Sequence, residues 1–155
     1  MVGWRPLGVP VSDGTAAWHR PLGHTAHGEL SEATTQTPGM RRLEAISGKL
    51  LGSTQLWMGE NHVAGGLRSA DHHHGASETG IYVVSGNPVF VFLEDGEEKR
   101  IETSPGDYIF VPPFVPHREE NPGDDQAVVV LARTTQEAIV VNLASLSEWK
   151  AGAEE

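Results

Sequence analysis

The chain has 155 residues and a formal net charge of −10, a length that fits one domain able to bury about two thirds of its unfolded surface. An acidic surface with no run of five basic residues disfavours nucleic acid and anionic membrane as partners. The absence of cysteine excludes disulfides and thiolate metal sites and fits a reducing, cytoplasmic setting, and no apolar run approaches the roughly 20 residues of a membrane span.

Residues 1–38 are rich in Gly, Pro, Thr and Ala and show little periodicity. They read as an extended N-terminal arm. Trp4 and Trp18 within it favour at least partial packing, since disordered tails are poor in aromatics. His19, His24 and His27 lack tight ligand spacing and read as loop residues. Residues 39–155 form the domain proper. Pro38–Leu51 and Leu143–Ala153 are the only stretches expected to hold a helical turn or two, the latter as a short C-terminal helical segment. Between them short apolar runs recur: Gln55–Gly59, Ile81–Val84, Val89–Leu93, Tyr108–Val111, Ala127–Ala132 and Ala138–Leu143. Turn signals separate them, and Asp95-Gly96 before Glu98–Ile101 marks a tight hairpin. The pattern predicts an all-β sandwich or barrel. Val89–Leu93 is apolar on both faces, so its outer side needs cover from the arm or from a second subunit.

Two segments carry the chemistry. In Gly66–Glu78, an extended chain puts His72, His74 and Glu78 on one side by parity, together with Tyr82, and turns His73 away. Two histidines at i and i+2 make a two-point metal clamp, to which Glu78 adds an anionic oxygen. In Gly106–Asn121, a strand meets the Pro-rich stretch Pro112–Pro116 and presents His117. Prolines fix φ and stiffen such a turn, which suits a side chain that must be held in place.

Together these segments resemble the two motifs of the cupin superfamily. The first family motif runs Gly, five residues, His, one, His, three or four, Glu, six, Gly; Gly66, His72, His74 and Glu78 fall into place, with Gly86 one residue late. Counted back from Gly86, Thr79 takes the ligand position instead, and parity favours Glu78; a bulge near Gly80 is one way to absorb the extra residue. The second motif runs Gly, five, Pro, one, Gly, two, His, three, Asn. Gly106, Pro112, His117 and Asn121 match, while Phe114 replaces the inner Gly, which suggests a different turn and an aromatic at the mouth of the site. The motifs lie about twenty residues apart, and the resemblance covers residues 50–143. It implies a double-stranded β-helix, or jelly-roll, barrel of small single-domain type holding one divalent transition metal ion through His72, His74, Glu78 and His117. It also implies a homodimer.

Such a ligand set leaves two of six positions open and suits Fe, Mn, Ni or Zn. The expected function is that of a metal-dependent enzyme, dioxygenase-like, acting on a small organic molecule in the barrel. An isomerase or lyase of a sugar or keto-acid, and a non-catalytic binding barrel, follow from the same geometry. The wall reads as apolar and aromatic, with Trp57 and Phe92 in it, and Arg68, Arg100 and Arg118 as the plausible cationic donors. Glu119 shares parity with His117 and is a candidate general base; Tyr82 is a candidate barrel-lining catalytic residue; His62 reads as a hydrogen-bonded strand histidine.

Overall fold

Alternating side chains and tight turns shape the described residues into ten strands with little helix. The computed structural model describes residues 20–136 and 140–148. In chain order the elements are β1 (Arg41–Ile46), α1 (Gly48–Leu51), β2 (Trp57–Val63), β3 (His72–His73), β4 (Thr79–Ser85) and β5 (Val89–Glu94). They continue with β6 (Glu97–Glu102), β7 (Tyr108–Val111), β8 (His117–Glu120), β9 (Ala127–Arg133) and β10 (Val141–Asn142). Two five-stranded antiparallel sheets result, ordered β1-β2-β9-β4-β7 and β10-β3-β8-β5-β6.

Period-2 burial decides which side chains meet between the sheets. In β9, Ala127, Val129, Leu131 and Arg133 are buried while the residues between them are half-exposed. In β2, Trp57, Gly59, Asn61 and Val63 alternate in the same way. Trp57, Ile81, Val83, Val111, Val129 and Leu131 of the first sheet pack with Phe90 of the second as one apolar cluster. Each such side chain contributes about 1.5–3 kcal/mol of burial free energy. The β5–β6 hairpin turns at Asp95 and Gly96, both left-handed (φ 52° and 78°), the combination a two-residue turn between right-twisted strands requires.

The outer face of β5 finds cover within the chain: Val89, Val91 and Leu93 pack against Leu146. Residues 143–148, which include Leu146, form bends and a turn, and the remainder of the expected C-terminal helical segment lies outside the described residues. In Pro38–Leu51 only α1 is helical, and Arg41–Ile46 is an edge strand the sequence reading did not identify. Its Arg-Arg-Leu-Glu pattern buries Arg42 and Glu44 and so hides the usual apolar alternation. The described part of the arm lies along β1: Thr25 Oγ1 donates to the Ala45 carbonyl (2.7 Å), and Ser31 bridges to Glu44. Trp4, Trp18 and His19 fall outside the described residues. No helix among the described residues is long and apolar enough to cross a membrane.

Candidate metal centre

β3 and β8 are neighbours, and His72 pairs directly with His117, which sets their rings 4.5 Å apart between centroids. His74 follows β3 in a turn closed by the Ser77 amide donating to the His74 carbonyl (3.1 Å). The turn swings the third ring to 5.0 Å from His72 and 5.1 Å from His117. One nitrogen from each of the three lies within 4.8 Å of the others, so the group could hold one metal ion. His72 Nδ1 meets the Ala70 carbonyl at 2.7 Å and His117 Nδ1 meets the Val115 carbonyl at 2.9 Å. A carbonyl only accepts, so the proton sits on Nδ1 and the Nε2 lone pair is left for a ligand. Burial, foremost, holds His72 well below its ordinary pKa and lowers His117 to about 4. All of this favours the neutral, ligating form at neutral pH.

Glu78 does not join them. It is exposed, lining a surface hollow with Gln55 and Phe110, and its amide bonds outward to Thr134 Oγ1 (3.1 Å). Strand parity fails here because the His74–Ser77 turn interrupts the extended chain between His74 and β4. The inward position belongs to Thr79, which is 1% exposed and whose Oγ1 has no hydrogen-bond partner. No bulge falls near Gly80: β4 pairs with β9 without a break from Thr79 to Val83, and the register shift lies between Val83 and Ser85. With Thr79 as reference, Gly86 stands at the expected count. Gly86 is left-handed (φ 77°) and a Cβ there would lie 2.9 Å from the Ala127 Cα, so glycine is required. Phe114 also occupies the left-handed region (φ 62°). The turn that glycine would make is therefore kept, at a cost of about 1–2 kcal/mol, and the Phe114 ring lies 5.9 Å from that of His73. His73 is fully buried outside the three-histidine group and accepts from the Gly75 amide (2.9 Å).

Other expected residues fall elsewhere. Tyr82 faces outward, 38% exposed, with its ring 5.0 Å from that of Tyr108; it does not line the barrel because β4 alternates from Thr79, not from His74. Arg118 lies on the outer face, bonded to both carboxylate oxygens of Glu98 (3.2 Å each) and to Glu120 (3.2 Å). Arg100 joins Glu120 at 2.9 Å and Arg68 is exposed, so none of the three supplies a cation to the interior. His62 bonds Glu60 on the strand surface (2.8 Å). Glu119 does point inward, 3% exposed, with Oε1 unpartnered. Burial raises its carboxyl to about 7 against the pull of the Arg42 guanidinium.

The interior cations are Arg42 and Arg133, which the sequence reading did not single out. The available signal was parity: Arg133 continues the inward series Val129, Leu131 by one more step. Arg133 is 1% exposed, its guanidinium carbon is 4.1 Å from the centre of the Trp57 ring, and none of its three nitrogens has a hydrogen-bond partner. Its charge reaches His72, where it opposes protonation. A cavity of about 440 Å³ is lined by Phe90, Phe92, Ile109, Val111, Val115 and, from the histidine group, His117. A larger hollow of about 580 Å³ lies beyond Trp57, beside Glu44 and Lys49, and touches none of the three histidines.

Residues 60–133 match the family profile described as a cupin domain. Over 87 residues the chain is 28% identical to a 3-hydroxyanthranilate 3,4-dioxygenase of Cupriavidus pinatubonensis, a stretch covering 54% of this chain and 46% of that enzyme. The chain thus spans less than half of that relative's length. Oxalate decarboxylase from Bacillus subtilis superposes with a TM-score of 0.61 at 25% identity, over 70% of this chain and 28% of that one. Oxalate oxidase, solved with the substrate analogue glycolate, gives 0.62 at 18% identity, over 73% and 62%; at that identity the likeness speaks for the fold.

Proposed function

The chain belongs to the cupin superfamily, and from that premise we propose that it is a metal-dependent, dioxygenase-like enzyme acting on a small organic molecule held in the barrel. The observation that carries this reading is the convergence of three imidazoles, one of which, His117, lies in the wall of an apolar cavity of about 440 Å³. We propose His72, His74 and His117 as the ligands of one divalent transition metal ion, Fe, Mn, Ni or Zn. The donor set fits: three nitrogens within 4.8 Å, with their tautomers fixed where a carbonyl meets Nδ1. With Thr79 in the place of a carboxylate, no carboxylate among the described residues joins the three histidines, which favours an anionic substrate or hydroxide beside the ion. A redox-active ion supplies one-electron chemistry towards dioxygen there, and a redox-inert one supplies Lewis acidity.

The chain's own residues do the rest. Phe90, Phe92 and Val115 exclude water from the cavity. Glu119, buried on the face of β8 that carries His117 and poised near pH 7, takes or returns a proton at Oε1. The outward strip of Tyr82, Val84, Tyr108 and Phe110, with Tyr108 77% and Phe110 61% exposed, is proposed to seat a second copy of the chain, in a cytoplasmic setting. Light scattering tests the dimer: a monomer overturns it.

Oxygen uptake with catechols and β-diketones tests the activity. Uptake that follows metal content and is lost in His117→Ala is expected. Turnover of a keto-sugar without oxygen uptake would move the assignment to an isomerase.

A further inference from the structure

A buried guanidinium carries a full positive charge and five N–H donors, and desolvating them without partners is costly. Burial lowers the Arg133 pKa only to about 9, so the group stays charged at neutral pH. No nearby carboxylate bonds Arg133. The Glu44 charge favours the charged form of Arg133, but its carboxylate makes no hydrogen bond to the guanidinium and lies 3.3 Å from Lys49 Nζ. Glu119 faces Arg42, and its own carboxyl sits near neutrality. Arg42 in turn bonds Asn61 Oδ1 (3.1 Å), the Thr35 carbonyl (2.6 Å) and Thr37 Oγ1 (3.2 Å). Arg133, by contrast, has no hydrogen-bond partner on any of its three nitrogens.

Its place is defined by register. Trp57, Arg133, Thr79 and Val111 form one inward row across β2, β9, β4 and β7. Strands lie about 4.8 Å apart, so Val111, in the cavity wall, is about 10 Å along the sheet from Arg133. Thr79, between them, holds a second unpartnered polar atom. The Trp57 ring fixes the guanidinium from one side, and Gly59 leaves room for that ring, since a Cβ there would come within 2.6 Å of it. His72 feels the Arg133 charge from the opposite sheet. Arg133 and Thr79 are not themselves in the wall of the cavity of about 440 Å³; a planar anion bonded to both would reach it past Val111, with its remaining body towards Phe90 and Phe92.

We propose that Arg133 and Thr79 form a carboxylate-binding subsite in the barrel interior beside this pocket, and that the substrate is a small carboxylic acid with an apolar, ring-sized body. The inference rests on the proposed function for taking this pocket as the substrate's. Arg133 presents two parallel N–H groups to the carboxylate, Thr79 donates its hydroxyl proton to it, and a neighbouring oxygen on the substrate reaches the metal position.

The test is calorimetric titration of the full-length protein, as purified, with salicylate, with its neutral analogue salicylamide and with inorganic phosphate, alongside elemental analysis of each protein. Wild type is expected to bind salicylate more tightly than either of the others. Arg133→Gln should weaken salicylate roughly tenfold to a hundredfold, the range for losing a charged hydrogen bond, and Arg133→Lys less. Thr79→Val should cost roughly fivefold. Salicylamide affinity and metal content should not change in Arg133→Gln; where that variant does not fold, Arg133→Lys and Thr79→Val carry the comparison. Equal salicylate affinity in wild type and variants, with metal present, overturns the subsite and leaves the metal centre standing. Salicylate binding that depends on Arg133 in protein without metal upholds the subsite and overturns the metal centre. Phosphate binding as tightly as salicylate overturns the carboxylate assignment.

Discussion

Two arginines enter the same barrel interior and meet it in opposite ways. Arg42, on β1, is surrounded by acceptors: a side-chain amide, a backbone carbonyl, a threonine hydroxyl and the sulfur of Met40 (3.6 Å), with the Glu119 charge nearby. Arg133, on β9, has an aromatic ring beneath it and no acceptor. The first is a structural group that closes one end of the barrel and ties the arm to it. The second is held ready for something that the folded chain does not provide. A buried charge that is satisfied belongs to the fold, and one that is not satisfied points to a ligand.

The largest effect that would break this contrast is at Arg42. Arg42→Met strands Asn61, Thr37 and Glu119 without their partner and is expected to destabilise by about 3–5 kcal/mol, read as a fall in the denaturant midpoint. A loss under about 1 kcal/mol would mean that its bonds matter little.

Glu119 gives the next effect. Its folded pKa, about 7, lies above the ordinary 4.5, so the folded chain keeps a proton that the unfolded chain releases. Stability of the metal-free protein is therefore greatest below pH 4.5 as far as this group is concerned. It declines as pH rises from there through 7, by about 3 kcal/mol in all. Glu119→Gln should flatten that decline in urea titrations at pH 5 and pH 8; an unchanged slope would show that another group is responsible.

Arg133→Met should have the opposite sign from Arg42→Met. Without ligand it removes an uncompensated charge and is expected to raise stability by about 1–2 kcal/mol, seen as a higher melting temperature. Marked destabilisation would place Arg133 with Arg42 as a structural group. The smallest effect concerns Phe114. Phe114→Gly should be more stable than Phe114→Ala by about 1 kcal/mol, since both delete the ring and only glycine relieves the left-handed backbone. Equal stability would deny that strain.

The sequence disclosed the strands and three histidines because both signals are local. Short apolar runs bounded by turn residues mark β4, β5, β7 and β9, and His72, His74 and His117 stand at fixed offsets from Gly66 and Pro112. Glu78 faces outward: parity was carried through a turn, where alternation has no meaning, and the count from Gly86 pointed to Thr79, the residue that is buried. Arg133 was passed over because a cation at the end of an apolar strand reads as the strand's exit to solvent. Only pairing with Trp57 and Thr79 shows that the strand is still inside. Cover for β5 was sought in the arm or a second subunit, yet Leu146 supplies it, and a single leucine in a polar tail gives no such signal.

The account rests most heavily on a metal centre of three histidines without Glu78. Elemental analysis of protein purified without added metal, on wild type, Glu78→Gln, and His72→Ala with His117→Ala, tests it directly. Wild type and Glu78→Gln should hold the same amount, near one divalent transition metal ion per chain, and the double variant should hold essentially none. Loss of metal in Glu78→Gln, or the same residual metal in wild type and the double histidine variant, would contradict it.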